Sequence, residues 1–272
     1  MMRALWSAAS GMKGQQTAVD TIANNIANVN TTGYKAQNTE FKTLLYQTLE
    51  ATSTNSDGIQ KPTSVQVGLG TRVGAITTKF TQGSMTSTEN NTDFCIDGEG
   101  FFAIRDAQSN TKYTRAGSFS WALNAEGNRI LTTSEGYTVL DREGEAISLP
   151  NGAGTDGFTV DEEGAVSYRN ADGTYTSTGQ YIALYQFNNP NGLEKEGSSL
   201  YTATASSGAA IAEWDTDNIS RSTLVQGYIE SSNVSVADEM VNLIVSQRAY
   251  ELNSKAITTS DTMLEEANNL KR

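Results

Sequence analysis

Histidine is absent from this 272-residue sequence, and there is a single cysteine, Cys95, and three prolines. Without histidine the commonest general base and the commonest metal-binding side chain are missing. A Ser-His-Asp triad and a histidine-based zinc site are therefore excluded. One cysteine cannot close an internal disulfide, so no disulfide framework exists. Cations are scarce as well: 19 Lys and Arg stand against 31 Asp and Glu, a net charge of −12. That balance disfavours nucleic acid or an anionic membrane as a partner and favours solubility. Long hydrophobic runs are lacking too. The opening "MMRALWSAASGMKGQQ" is broken by Gly11, Lys13, Gln15 and Gln16, so it has the pattern of neither a secretory signal peptide nor a transmembrane helix. It predicts a cytoplasmic protein, or one exported without a cleaved signal.

What is present is periodicity at both ends. Near the N-terminus, apolar residues fall at Leu5, Ala8, Met12, Val19, Ile22, Ile26 and Val29, with Gln15 interrupting the run. The steps of three and four make a heptad seam, and Gly33 can take the left-handed conformation that ends a helix near Thr32–Gly33. At the other end Val236, Leu243, Tyr250, Ile257 and Leu264 recur every seven residues. Met240 starts an intervening line that continues as polar Gln247, Ser254 and Asp261, while Val241, Val245, Leu252 and Met263 widen the stripe. Ser235 with Asp238 three residues later reads as a capping box, and Lys271 and Arg272 complement the negative end of the helix dipole. Two seams of the same period at opposite ends of a chain predict an antiparallel pair. Polar positions within both seams leave faces that other copies would cover.

The middle alternates as strands do. "FFAIRD", "TKYTRAGSFSW", "EGYTVLD", "TDGFTVDEEGAVSYR" and "GQYIALYQF" are separated by the turn sequences "AEGN", "DREGE", "DEEG" and "NADG", the signature of antiparallel hairpins. The fold class expected is α+β. Long N- and C-terminal helices form a coiled-coil-like antiparallel pair, joined by an extended linker to a central all-β domain. The expected boundaries are 1–43 for the first helical segment, 44–90 for the linker, 91–205 for the β domain, 206–233 for a return linker and 234–272 for the second helix.

One stretch works against its own pattern. "ANNIANVNTTGYK", residues 23–35, continues the first seam yet carries Asn24, Asn25, Asn28 and Asn30. Asparagine competes for backbone hydrogen bonds and costs roughly 0.5 kcal/mol relative to alanine inside a helix. The expectation is that these amides leave the free segment unfolded and fix register once neighbouring copies surround it.

These residues resemble the axial proteins of the bacterial flagellum, in particular the rod and hook family. "ANNIANVNTTGYKAQNTEF" resembles the family's N-terminal rod signature. "QGSMTSTENNTDFCIDGEGFFAI", followed by "YTRAGSF", resembles the start of its central β domain, and "QGYIESSNVSVADEMVNLIVSQRAYELNSKAI" resembles its C-terminal signature. The length and "FKTLLYQTLEATSTNSDGIQKPTSVQVGLGTRV" are most similar to the distal rod members. The resemblance implies a non-enzymatic structural protein with no cofactor and no small-molecule substrate. Such a subunit travels unfolded through the flagellar export apparatus and polymerises with copies of itself into a tube, a drive shaft around the export channel. Its implied neighbours are proximal rod proteins, the hook protein and ring (bushing) proteins, in the extracytoplasmic zone of the basal body. It also implies subunit packing through the seam residues, including Leu5, Met12, Val19, Ile22, Ile26 and Val29. The linker around Tyr46, Gln47, Pro62, Gly68 and Gly70 is implied to stiffen the shaft. A hook or proximal rod paralogue is the alternative within the class; a secreted β-rich adhesin or glycan-active protein is the alternative outside it.

Asp93, Asp97 and Glu99 in "DFCIDGEG" invite a calcium or paired-carboxylate reading. The Asp-x-Asp-x-Asp-Gly series is missing and Asp97-Gly98 reads as a turn, so no site is assigned. Cys95, between Phe94 and Ile96, is expected to be a buried, inert thiol. Trp6, Trp121 and Trp214 are expected to be core or interface anchors.

Overall fold

The computed structural model describes residues 2–50, 64–124, 127–150, 157–170, 172–216 and 219–270. Pro62, the stretch 52–61, Lys271 and Arg272 lie outside the described residues. The chain divides into two compact units. A helical unit comprises Met1–Ala27, Gln37–Thr78 and Ser235–Arg272, and a β unit comprises Asn28–Ala36 and Lys79–Val234. The architecture is α+β.

The helical unit is built on α1 (Met2–Ala27) and α2 (Val236–Asn269). Ser235 caps α2, its hydroxyl accepting from the Asp238 amide at 3.5 Å. The two helices run in opposite directions. The Asn25 amide donates to Glu239 Oε1 at 3.2 Å, and a Cβ on Gly11 would come within 2.8 Å of the Asn253 amide. A shift back along α1 from residue 25 to residue 11 is thus matched by an equal shift forward along α2 from residue 239 to residue 253. A second face of α1 carries a ribbon of β1 (Gln37–Thr43) and β4 (Thr71–Thr78), paired antiparallel. Thr39 and Thr21 share a hydroxyl–hydroxyl bond of 3.0 Å, the Phe41 ring lies where a Cβ on Gly14 would stand, and the Thr71 amide donates to Ser10 Oγ at 3.3 Å. Small side chains at Ser10, Gly14 and Thr21 let the ribbon approach the helix closely. A shorter ribbon pairs β2 (Tyr46–Glu50) with β3 (Val65–Gly68).

The β unit holds the large core. The strands β7 (Phe101–Arg105), β8 (Thr111–Thr114), β9 (Phe119–Leu123), β10 (Arg129–Thr133), β11 (Thr138–Val139), β12 (Ser148–Leu149), β16 (Leu184–Gln186), β17 (Glu194–Glu196), β18 (Leu200–Thr202) and β19 (Ile211–Ala212) form one sheet. Its main path runs β12-β10-β11-β7-β8-β18-β17. A second sheet has the order β13 (Thr159–Val160), β14 (Ala165–Arg169), β15 (Tyr175–Tyr181). Two further ribbons pair β6 (Phe94–Asp97) with β20 (Thr223–Gln226), and β5 (Met85–Ser87) with β21 (Tyr228–Glu230). Alternating strands place Phe94, Phe102, Ile104, Leu131, Phe158 and Ile182 in one buried cluster. A second cluster gathers Phe101, Tyr113, Phe187 and Tyr201. Trp121 packs against the first and Trp214 against the second, whereas Trp6 is 71% exposed on α1.

Three boundaries differ from expectation. The first helix stops at Ala27 rather than near Thr32–Gly33, and residues 37–43 are strand. Asn28 ends it by turning the chain, its carbonyl accepting from the Thr31 amide and its side-chain oxygen from the Thr31 hydroxyl, both at 3.1 Å. Within 44–90, read as a linker, Ser/Thr/Gly-rich sequence pairs with itself and with residues 37–43 as β1–β4 and β2–β3. Within 206–233, β19, β20 and β21 complete the sheets of the β unit.

Candidate functional site

The "ANNIANVNTTGYK" stretch contributes residues 23–27 to the helical unit and residues 28–35 to the β unit. Asn25 is fully buried in the helical unit. Its Oδ1 accepts from the Gln37 amide at 2.9 Å and its Nδ2 donates to the Gln37 carbonyl at 2.8 Å. The side-chain amide thus imitates a neighbouring strand and fixes the start of β1. Both polar atoms of this amide are engaged within the chain. Asn24 and Asn30 are exposed and Asn28 half-buried.

Gly33, in the β unit, has φ +68°. It takes the left-handed conformation expected of it, but six residues past the helix end. A Cβ there would meet the Arg115–Ala116 backbone at 2.6–2.9 Å, and its amide donates to the Glu230 carbonyl at 2.8 Å.

Two residues on, Lys35 enters a buried ion cluster. Its ammonium lies 2.6 Å from Glu230 Oε1 and donates to the Thr81 carbonyl at 3.0 Å. Arg115 approaches Glu230 Oε2 at 3.1 Å and donates to the Gly98 and Gly100 carbonyls at 2.9 and 2.6 Å. The Gly83 amide adds a bond of 2.8 Å to Glu230 Oε1. All three charged side chains are at most 2% exposed. Burial pushes the Glu230 carboxyl up, but the Arg115 and Lys35 charges outweigh it, leaving it below the ordinary glutamate value. Burial and then Arg115 hold the Lys35 ammonium below the ordinary lysine value. Beside the cluster, Cys95 is buried, and burial followed by the Glu230 charge pushes its thiol up to about 11.

Asn233 closes the same region. Its Oδ1 accepts from the Ala36 amide at 2.7 Å, and its Nδ2 donates to the Lys79 and Thr81 carbonyls at 2.8 and 2.9 Å. Sequence reasoning missed Arg115, Glu230 and Asn233. The available signal was a single charge in each of two otherwise uncharged stretches, "YTRAGSF" and "QGYIESSN".

The expected packing residues divide. On α1, Ile22 is buried and Leu5, Met12, Val19 and Ile26 are half-buried, beside a more buried line of Ala8, Ala18, Thr21 and Asn25; Val29, past the helix end, is half-buried. On α2, Leu243, Ile257 and Leu264 are half-buried, but the second covered line is Glu239, Ser246, Asn253 and Ser260, not the line from Met240. Val236 and Tyr250 are exposed, and Met240, Val241, Ile244, Val245, Leu252 and Met263 each expose more than half their surface. In the shorter ribbon, Tyr46 and Gln47 are exposed, Gly68 and Gly70 half-buried. Val67 pairs with Gln47, the register shifts between Thr48 and Glu50, and Leu45, Leu49 and Val67 are all exposed.

Asp93 is buried while Asp97 and Glu99 are exposed. Among the described residues no group of three His, Cys, Asp or Glu side chains could hold a metal ion, and no helix is long and apolar enough to cross a membrane.

The helical unit thus has uncovered apolar helix and ribbon faces, and the β unit has a well-packed core, the features of a protein that works through its surfaces. Residues 5–35 match the family model described as flagella basal body rod protein. Residues 95–168 match the flagellar hook protein FlgE/F/G D1 domain, and residues 225–270 the flagellar basal body rod FlgEFG protein C-terminal. The chain is 47% identical, over the whole of both chains, to the flagellar basal-body rod protein FlgG of Borreliella burgdorferi. It is 41% identical to that of Bacillus subtilis, again over both whole chains. With that of Agrobacterium fabrum it shares 40% identity over 96% of this chain and 97% of the relative. The chain belongs to the flagellar basal-body rod protein FlgG family, whose members are structural and not enzymes.

Proposed function

We propose that this chain polymerises with copies of itself into the distal rod of the flagellar basal body, a tube that carries torque from motor to hook around the export channel. The observation that carries the reading is the likeness to FlgG rod proteins along the full length of the chain. Within that tube, α1 and α2 act as a coiled-coil-like antiparallel pair forming the inner wall. Neighbouring copies cover the exposed face of α2 that runs from Val236 and Met240 to Met263. Two-stranded ribbons are marginal alone, so the apolar face of β2–β3 is covered by other copies too, and this contact stiffens the shaft. The subunit is exported without a cleaved signal to the extracytoplasmic zone and meets proximal rod, hook and ring proteins there.

Immunogold labelling of isolated hook–basal bodies with an antibody to the β unit tests the position. Label is expected on the shaft below the hook, and label along the hook would overturn it. Deleting residues 52–61 is expected to make the assembled tube more flexible while the β unit stays folded. Unchanged bending stiffness, measured by electron microscopy of isolated rods, would count against the stiffening role.

A further inference from the structure

The two ends of the long sheet's main path are guarded. The long sheet ends on one side at β17, whose residues Glu194, Lys195 and Glu196 are all charged, and on the other at the two-residue β12, followed by Pro150. Charge, proline and shortness each deter an incoming strand. The strand β15 carries none of these guards. It is the end strand of β13-β14-β15, and its seven residues, "YTSTGQY", carry no charge and no proline.

The direction of its backbone groups follows from the register. The Asn170 amide donates to the Thr174 carbonyl at 2.9 Å, so those two residues form a hydrogen-bonded pair. Antiparallel pairs alternate between bonded and non-bonded. Arg169 with Tyr175 is therefore a non-bonded pair, Tyr168 with Thr176 a bonded one, and Ser167 with Ser177 again non-bonded. The amides and carbonyls of Tyr175 and Ser177 face away from β14, two donors and two acceptors on an exposed edge. Beside that edge lies a groove of about 490 Å³ lined only by uncharged residues, among them Asn128, Ser148, Tyr168, Thr178 and Gln180.

We propose that the outer edge of β15 is a strand-addition site that pairs with an extended segment of a second copy of this chain. The inference rests on the polymer reading and adds the surface through which β units join. Charge selects the occupant. Copies that each carry a net charge of −12 repel, and a neutral edge beside a neutral groove is where two of them can meet without juxtaposing like charges. Geometry restricts it further. Pairing of β15 with another β15 would close a two-fold dimer, whereas a growing tube needs a head-to-tail contact. The incoming strand is therefore a different segment of the next copy.

Hydrogen exchange with mass spectrometry, on the full chain as monomer and as polymer, tests this through peptides covering residues 172–181. The amides of Tyr175 and Ser177 are expected to exchange at least tenfold more slowly in the polymer. Ser177→Pro removes an outward amide without breaking a bond to β14 and loses only the exposed bond from the Gly179 amide to the Ser177 hydroxyl, so it should lower the monomer's thermal melt only slightly and raise the concentration needed for assembly at least tenfold. Ser177→Lys and Ser177→Asp should both impair assembly, because either charge would be desolvated at a paired edge. Equal exchange in monomer and polymer overturns the proposal, as does assembly impaired by Asp but improved by Lys, which would report net charge alone. A wild-type chain that stays monomeric at every concentration removes the polymer reading itself.

Discussion

Glu230 is the residue on which the buried ion cluster of the β unit depends. Its carboxylate faces two buried cations, Lys35 and Arg115, and removing one partner of a buried ion cluster typically costs about 3–5 kcal/mol. Glu230→Gln is expected to destabilise the β unit by at least that range in urea melts at neutral pH. The pH dependence has a definite sign. The folded carboxyl lies below its ordinary value of 4.5, so the stability it contributes is present above that value and is lost as pH falls through the folded one. The gap between wild type and Glu230→Gln should therefore narrow under acid, and a constant gap would show that the pairing is energetically silent. Asn25→Ala removes the partners of the amide and carbonyl of half-buried Gln37 and should cost the helical unit about 2 kcal/mol, again read by urea melting. Very little of this was legible in the sequence. Asn25 finds its partners 12 and 214 residues away, and Lys35 finds Glu230 across 195; polarity in a motif says that partners exist, not where they are. Gly33 was legible as a left-handed residue, because that conformation is local, while its close approach to Arg115–Ala116 was not.

At the scale of elements, period was easier to read than phase. In the line Val236, Leu243, Tyr250, Ile257, Leu264, the residues Leu243, Ile257 and Leu264 face partly inward, whereas Val236 and Tyr250 are exposed. The companion line falls one residue earlier than the apolar pattern places it, on Glu239, Ser246, Asn253 and Ser260. A heptad search follows the largest apolar residues, but α1 meets α2 and β1–β4 through Gly11, Gly14, Thr21 and Asn25, where small or hydrogen-bonding side chains allow close approach. Met240, Val241, Ile244, Val245, Leu252 and Met263 of α2 are left outside. That division predicts separable effects. Ile244→Asp and Leu252→Asp change surface positions and should shift the monomer's melting free energy by less than about 0.5 kcal/mol. Both should abolish polymer in sedimentation assays, since the new charge would be buried unpaired between copies. A variant that assembles normally would remove this face from the subunit contact.

The two units of the whole molecule are unequal in what holds them. The β unit buries two clusters of aromatic and branched side chains, each fully buried one worth about 1.5–3 kcal/mol. Among the described residues, the buried side chains of the helical unit are those of Ala8, Ala18, Thr21, Ile22, Asn25, Thr78, Ser246 and Ser260, which bury far less apolar surface. Long helices with little buried apolar area depend on neighbours for their stability. Local opening in the isolated subunit should therefore begin in the helical unit, where few apolar contacts resist it. This bears on the asparagines as well. Asn25 stabilises the helical unit once it is formed, yet a helix interrupted by such residues still forms reluctantly before that, so the two roles act at different stages. Limited proteolysis of the monomer, followed by native mass spectrometry, separates the units. Cuts are expected first in residues 2–27, 37–78 and 235–270, leaving residues 79–234 intact. The released peptide containing residues 28–36 should remain bound to that core, because Lys35 and Gly33 belong to the β unit rather than to the helix that precedes them. Loss of that peptide would mean that the ion cluster cannot hold it without covalent continuity. Equal resistance of all segments would mean that the antiparallel helix pair is as stable alone as the β unit, and that assembly adds contacts to a helical unit already formed.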